Sequence, residues 1–221
     1  LALGLGVLTP EEREVGSAVV AVGGRTTEIG IFQEGSIRHV SVVPCGGVAV
    51  TSDIVKGLGI PFAEAERVKA RFGIATTRLA EKKSAIEIPG PAPGTQKKVA
   101  RELLAHIIEQ RMDEILALVL HAIDSAGYAN RLGGGIVLTG GGASVEGIIE
   151  VAQSIFAMPV RCGVPGAGLT GLADSVRRPR FGTAAGLVVF GVERIREDLG
   201  NGRGPAQRAL ARVGGWLKEF F

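Results

Sequence analysis

The sequence predicts an α/β fold: a mixed β-sheet with helices on both faces and a helical insertion between two parts of that sheet. Three features lead there. Three short β-type runs in succession, joined by tight glycine turns, make an antiparallel meander. Helix–strand–helix units follow later in the chain. Between the two, residues 61–130 are dominated by helical periodicity.

Leu1–Leu8 reads as the end of an earlier element, and the absence of an initiator Met suggests a fragment or an isolated lobe. Ser17–Val22 is a short apolar strand. Gly23-Gly24-Arg25-Thr26 breaks it, Thr27–Gln33 resumes with β-branched residues, Glu34-Gly35 turns again, and Ile37–Val43 alternates as a third strand. Val48–Leu58 is expected as a helix, with Gly57 and Gly59 near its end and Pro61 as punctuation. Phe62–Phe72 is a second helix, closed by Gly73. Ser84–Ile88 is a strand, and Pro89–Gly94 is a loop with three prolines. A long helix is expected from Lys97 to about Ala126, because Leu104, Ile108, Met112, Ile115 and Val119 keep helical spacing. Gly135–Thr139 is the next strand, followed by Gly140-Gly141-Gly142 and a helix over Val145–Phe156. Pro159–Cys162 is a short strand. Phe181–Arg196 is a helix that begins with small residues.

Composition narrows the function. The 221 residues suffice for one large or two small domains, and 46% hydrophobic residues can fill a core. No run reaches the length of a spanning helix, so no bilayer crossing is expected. Leu1–Leu8 is too short for a signal peptide and lacks a basic start. Cys45 and Cys162 lie far apart with no metal-ligand neighbours, and are expected as reduced, buried thiols of a cytosolic protein. His39, His106 and His121 are scattered, so neither a metal site nor a histidine-centred catalytic site is expected. No residue stands out as catalytic.

The C-terminal segment is distinctive. After a Gly-rich stretch, Ala206, Leu210, Val213, Leu217 and Phe220 share one face of a helix, widened by Ala209, Trp216 and Phe221. Arg208, Arg212 and Lys218 fall on the other side. Residues 201–221 carry four basic side chains against Glu219, a net +3 that equals the formal charge of the whole chain. The rest is balanced, and no nucleic-acid partner is expected. A cationic, aromatic-ended amphipathic helix on a leash suits the headgroup region of an anionic membrane. The alternative is a helix that docks on its own core or on a protein. Gly214 and Gly215 count against a rigid core helix, since each glycine costs about 1 kcal/mol relative to Ala.

Two glycine turns carry the chemistry. One is Gly23-Gly24-Arg25-Thr26, between antiparallel strands. The other is Gly140-Gly141-Gly142, between a strand and a helix. Glycines let a backbone approach a ligand closely, and exposed N–H groups with a helix N-terminus favour anions.

These motifs resemble the second lobe of the actin-like (ribonuclease H-like) ATPase superfamily, and more narrowly FtsA, the bacterial cell-division actin homologue. Ala21-Val22-Gly23-Gly24-Arg25-Thr26-Thr27-Glu28 is similar to the second phosphate loop. Arg38-His39-Val40, Val43-Pro44 and Val50-Thr51-Ser52-Asp53-Ile54 resemble the strand and helix that follow it. Ala65-Glu66-Arg67-Val68-Lys69 resembles the helix beside the ribose, and Gly135 to Gly141 the adenosine motif. The C-terminal segment resembles the family's membrane-targeting helix.

The resemblance implies a core subdomain over 1–60 and 131–197, an inserted subdomain over 61–130, a linker over 198–205 and a membrane helix over 206–221, with the first lobe absent. It implies ATP, with magnesium, at Gly23, Gly24, Arg25, Thr26, Glu66, Lys69, Gly140, Gly141 and Gly142. On their own, Glu66 and Lys69 would be only an exposed i, i+3 pair worth tenths of a kcal/mol. It implies that Lys97, Lys98, Arg101 and Arg111 meet the C-terminal peptide of FtsZ. It implies that Arg208, Leu210, Arg212, Val213, Trp216, Leu217, Phe220 and Phe221 meet the membrane. The expected role is to tether the FtsZ ring to the inner face of the cytoplasmic membrane at the division site, with self-association into filaments in the intact protein. One departure bears on turnover: Ala21 stands where the family has an acidic residue that helps to place the metal, so hydrolysis is expected to be weak or absent. Arg25, in place of a glycine, either adds a phosphate contact or obstructs one. The alternatives are an actin-like scaffold of type IV pilus assembly and a lobe of a sugar or acetate-type kinase.

Overall fold

The computed structural model describes residues 1–80, 84–90, 94–166 and 173–200. Two short helices open the chain, α1 (Ala2–Val7) and α2 (Pro10–Val15). Thr9 caps α2: its hydroxyl accepts from Glu12 N at 3.2 Å, and Glu12 Oε2 accepts from Thr9 N at 2.8 Å. The meander follows as β1 (Ser17–Val22), β2 (Thr27–Gln33) and β3 (Ser36–Val43), with antiparallel pairing throughout. Then come α3 (Gly47–Leu58) and α4 (Phe62–Phe72). A hairpin of β4 (Ala85–Pro89) and β5 (Gln96–Ala100) leads into α5 (Arg101–Ser125). The chain returns to the main sheet as β6 (Ile136–Thr139). A 3-10 turn (Gly141–Ser144), α6 (Ile148–Phe156) and β7 (Val160–Cys162) follow. The last described elements are α7 (Ala173–Val176), a 3-10 turn (Pro179–Phe181) and α8 (Gly182–Gly200).

The sheet order is β3-β2-β1-β6-β7, with β6 and β7 parallel to β1. It is the mixed sheet the sequence predicts. Alternation along β1 divides two layers. Ala18, Val20 and Val22 join the larger core with Val50 and Ile54 of α3, Ile115 and Leu116 of α5, and Ile148 and Ala152 of α6. Val19, with Phe32 and Val137, faces Val7 and Leu8 on the other side. There α1 lies so close to α8 that a Cβ on Gly186 would fall 1.7 Å from the Ala2 carbonyl oxygen.

Four expectations are corrected. Gln96–Ala100 is a strand, with Lys97 opposite Ile88 and Lys98 opposite Glu87, so neither lysine lies on the long helix, which starts at Arg101. Hydrogen bonding to β4 overrides the local sequence there. The helix after Gly142 starts at Ile148 rather than Val145, because a 3-10 turn absorbs the glycines. Cys45 and Cys162 are unpaired but half-buried rather than buried. The helix α8 runs to Gly200, past the expected linker start at position 198. The tail residues Arg208, Leu210, Arg212, Val213, Trp216, Leu217, Phe220 and Phe221 lie outside the described residues. Among the described residues, no helix is long and apolar enough to cross a membrane.

Candidate functional site

Parallel pairing of β1 and β6 sets Ala21 opposite Thr139, so both glycine turns leave the sheet at the same end and lie side by side. The third wall is the start of α3. Gly47 N donates to Gly23 O at 2.9 Å and Val48 N to Gly24 O at 2.7 Å, which holds the hairpin against the helix. These bonds take the first N–H groups of α3, so this helix N-terminus is not open to an anion. The fourth wall is α4 with the inner side of α5. Together they enclose a cavity of about 500 Å³, within the range of small-ligand sites.

The glycines around it divide into two kinds. Gly140 has φ +83° and a Cβ there would lie 2.6 Å from Val22 O. A Cβ on Gly142 would meet Val22 Cγ1 at 2.4 Å, and one on Gly23 would meet Thr26 O at 2.8 Å. The fold itself demands these three. At Gly24 and Gly141 a Cβ would meet nothing within 4 Å and φ is ordinary, yet both line the cavity. Among the described residues, no acceptor meets their N–H groups. Bare backbone with open donors on a cavity wall can receive an anionic ligand.

On the opposite wall, Lys69 Nζ donates to Gly47 O at 2.9 Å, Thr51 Oγ1 at 2.7 Å and Glu66 Oε2 at 2.8 Å. Thr51, itself buried, also donates to the same Glu66 oxygen. Burial works to raise the Glu66 carboxyl. The bonds from Lys69 and Thr51, with the charge of Lys69, outweigh it and hold the carboxyl below its ordinary range. Glu66 is therefore an ionised acceptor whose second oxygen remains for hydroxyl groups of a ligand.

Of the residues singled out from the sequence, Gly23, Gly24, Glu66, Lys69, Gly141 and Gly142 line this one cavity. Arg25, Thr26 and Gly140 lie beside it, Arg25 exposed at the hairpin tip. The sequence reading missed Phe62, Met112, Ser144 and Arg180, which also line it. Arg180 has no local signal, since it joins Gly141 only through the fold.

The donors of the wall do not suit a divalent metal. Among the described residues no group of three His, Cys, Asp or Glu side chains could hold one. Among the described residues Glu66 is the one carboxylate on the wall, and Lys69 already neutralises it. Ala21 offers no carboxylate, and Glu28, its cross-strand partner, is exposed and off the wall. The donor set does not fit magnesium.

The four basic residues expected to meet a peptide differ in what already holds them. Lys97 donates to the Leu58 carbonyl. Arg111 is bound to Asp53 at 2.6 Å and to Glu114, bonds that raise its pKa, the Asp53 hydrogen bond foremost. Lys98 stays exposed, 3.7 Å from Glu87, and Arg101 lies 3.8 Å from Glu146. Beside Arg101 a surface hollow is lined by Thr77, Ala100, Glu102, Leu103 and His106.

Sequence and structure comparisons follow the same lines. The family profile described as cell division protein FtsA matches residues 18–186. The chain is 41% identical to the FtsA of Pseudomonas aeruginosa over 199 residues, covering 90% of this chain and 48% of that protein. It is 42% identical to the FtsA of Neisseria meningitidis over 233 residues, covering 100% and 55%. The chain thus spans about half the length of the curated relatives it matches. In structure it is similar to MreB 5 of Spiroplasma citri bound to AMPPNP, with a TM-score of 0.68 at 23% identity, over 91% of this chain and 60% of that one. That likeness shows the actin-like fold.

Proposed function

The chain belongs to the FtsA family of cell division proteins, and from that premise we propose that it is the nucleotide-binding half of a membrane-tethered division protein. The family match sets aside the pilus scaffold and the kinase lobe. One observation carries the reading: two remote glycine turns and the Glu66–Lys69 pair line a single cavity, and Gly24 and Gly141 there are required by no packing contact. Phosphates would lie along the turns and the ribose hydroxyls would donate to Glu66. MreB 5, which shares the fold, binds AMPPNP, and this supports a nucleotide as the ligand. Hydrolysis would be weak or absent in this half, since Ala21 cannot place a metal-bound water. Titration with ATP tests the reading. Gly141→Asp should abolish binding by putting a charged side chain in the ligand's path, and ATP binding unchanged by it would sink the assignment.

The remaining roles rest on family membership and the sequence. The core, residues 1–60 and 131–197, would carry the nucleotide, and the insertion, 61–130, would present the FtsZ peptide site. The segment over 206–221 would hold the protein peripherally on the cytoplasmic face of the plasma membrane at the division site. Filaments would form in the intact protein.

A further inference from the structure

A nucleotide brings several negative charges into the cavity, and something must meet them. Among the lining residues the cations are Lys69 and Arg180. An ammonium has three donors, and those of Lys69 are already used on Gly47 O, Thr51 Oγ1 and Glu66 Oε2. Lys69 is therefore a positioning residue that orients Glu66. Among the described residues the wall also offers no uncommitted carboxylate to hold a metal.

Arg180 is differently placed. Its backbone is fixed to the end of β6: the Pro179 carbonyl accepts from Thr139 Oγ1 at 3.0 Å and from Gly140 N at 3.3 Å. Its guanidinium lies 4.7 Å from the centre of the Phe181 ring. Among the described residues no carboxylate or hydrogen-bond acceptor meets it. A guanidinium that lies over an aromatic ring still has its N–H donors in its own plane, where two can bind one phosphate. The side chain is exposed at the mouth of the cavity, on the same wall as Gly141.

We propose that Arg180 is the phosphate-binding cation of this cavity, meeting a nucleoside di- or triphosphate with the edge of its guanidinium where no carboxylate is placed to hold a divalent metal. The inference rests on the nucleotide reading above. The test is a titration of this chain with ADP in magnesium and in EDTA, and with adenosine, for the unaltered protein, R180Q and R180K. Thermal unfolding serves as a fold control, which the exposed, acceptor-free side chain should pass.

EDTA should change ADP affinity by less than about twofold, and R180Q should weaken ADP about tenfold or more under both conditions. R180K, a point charge without the planar fork, should fall between them. Adenosine should bind all three alike. No binding of ADP to the unaltered chain overturns the nucleotide reading together with this inference. ADP bound equally by R180Q overturns the inference alone. So does binding abolished by EDTA, which would give the charge to a metal, or an equal loss of adenosine, which would give Arg180 to the base.

Discussion

Gly142 and Gly141 are chain neighbours with opposite surroundings: a Cβ on Gly142 would lie 2.4 Å from Val22 Cγ1, and one on Gly141 would meet no atom within 4 Å. Stability and ligand binding should therefore separate across one peptide bond. Gly142→Ala forces β1 and the turn apart and should cost about 1–3 kcal/mol in chemical denaturation. Gly141→Ala should stay within about 0.5 kcal/mol of the parent while weakening ATP binding. If Gly141→Ala instead unfolds the chain and spares binding, the open side of that turn is not a ligand wall.

Lys69 ties α4 to the first turn of α3 through Gly47 and Thr51. Lys69→Met leaves three acceptors short of a donor and should destabilise the chain by about 1–3 kcal/mol. Thr51→Val acts on the same network, so the double variant should lose less than the two single losses added together. Additivity within about 0.5 kcal/mol would show that the two groups act independently.

Much of this arrangement was legible along the chain, and the parts that were not share a cause. Pro61 and Gly73 bracket a strongly amphipathic run, and α4 occupies Phe62–Phe72 as expected. Ser17–Val22 and Thr27–Gln33 were likewise bounded by turn residues and form β1 and β2. β5 was hidden because Gln96–Ala100 passes into α5 with no glycine or proline between them. Its strand character comes from β4, a partner that local sequence does not display. α1 carries Gly4 and Gly6, poor helix formers, and draws its stability from packing on α8. α2 did carry a signal, Thr9-Pro10-Glu11-Glu12, a capping box with proline at the first helical position. In the cavity, Gly24, Glu66 and Gly141 were marked by motif, whereas Arg180 is brought to Gly141 by a carbonyl of Pro179 held at the end of β6.

Acid should loosen the N-terminal elements first. Glu12 receives Arg161 Nε and Nη2 at 2.5 Å each, and Arg161 Nη2 also reaches Val7 O at 2.8 Å, binding β7 to the α1–α2 junction. Burial pushes the Glu12 carboxyl up, but the Arg161 and Thr9 bonds hold it below its ordinary value of 4.5. A depressed carboxyl stabilises the fold fully above that ordinary value, and the contribution fades as pH falls through the lower folded value. Glu12→Gln should therefore lower stability near neutral pH and flatten the loss below pH 4.5. Melts recorded as a function of pH check this, and parallel curves for parent and variant would remove Glu12 from the acid response.

The C-terminal segment makes its own prediction. Trp216, Leu217, Phe220 and Phe221 should enter the interface of anionic vesicles, drawn by Arg208, Arg212 and Lys218. Trp216 is the single tryptophan, so its emission reports the event without labelling. A blue shift is expected with anionic vesicles and a smaller one at high salt, where screening shortens the attraction. No shift on any lipid would leave docking on the core or on a protein as the reading.

The peptide site should be sought around Lys98 and Arg101 and away from Arg111. Arg111 already serves Asp53 and Glu114, and reversing it would set three acids against one another and disturb the α3–α5 contact. Lys97 is likewise held by the Leu58 carbonyl. Less tightly held are Lys98, exposed on β5 and 3.7 Å from Glu87, and Arg101 at the start of α5, 3.8 Å from Glu146. Beside Arg101 lies the hollow that Leu103 borders with an exposed side chain. An acidic, partly apolar FtsZ C-terminal peptide would place its charges near the two basic groups and an apolar side chain against Leu103. Rim charges govern association rate and salt sensitivity, whereas apolar anchors hold the complex. Lys98→Glu with Arg101→Glu should therefore weaken peptide binding chiefly at low salt, and Leu103→Ala at every salt concentration. Titration of the FtsZ peptide at two ionic strengths separates the effects. Equal affinity for the parent and for both variants would mean that this edge of the insertion is solvated surface and that the peptide binds elsewhere.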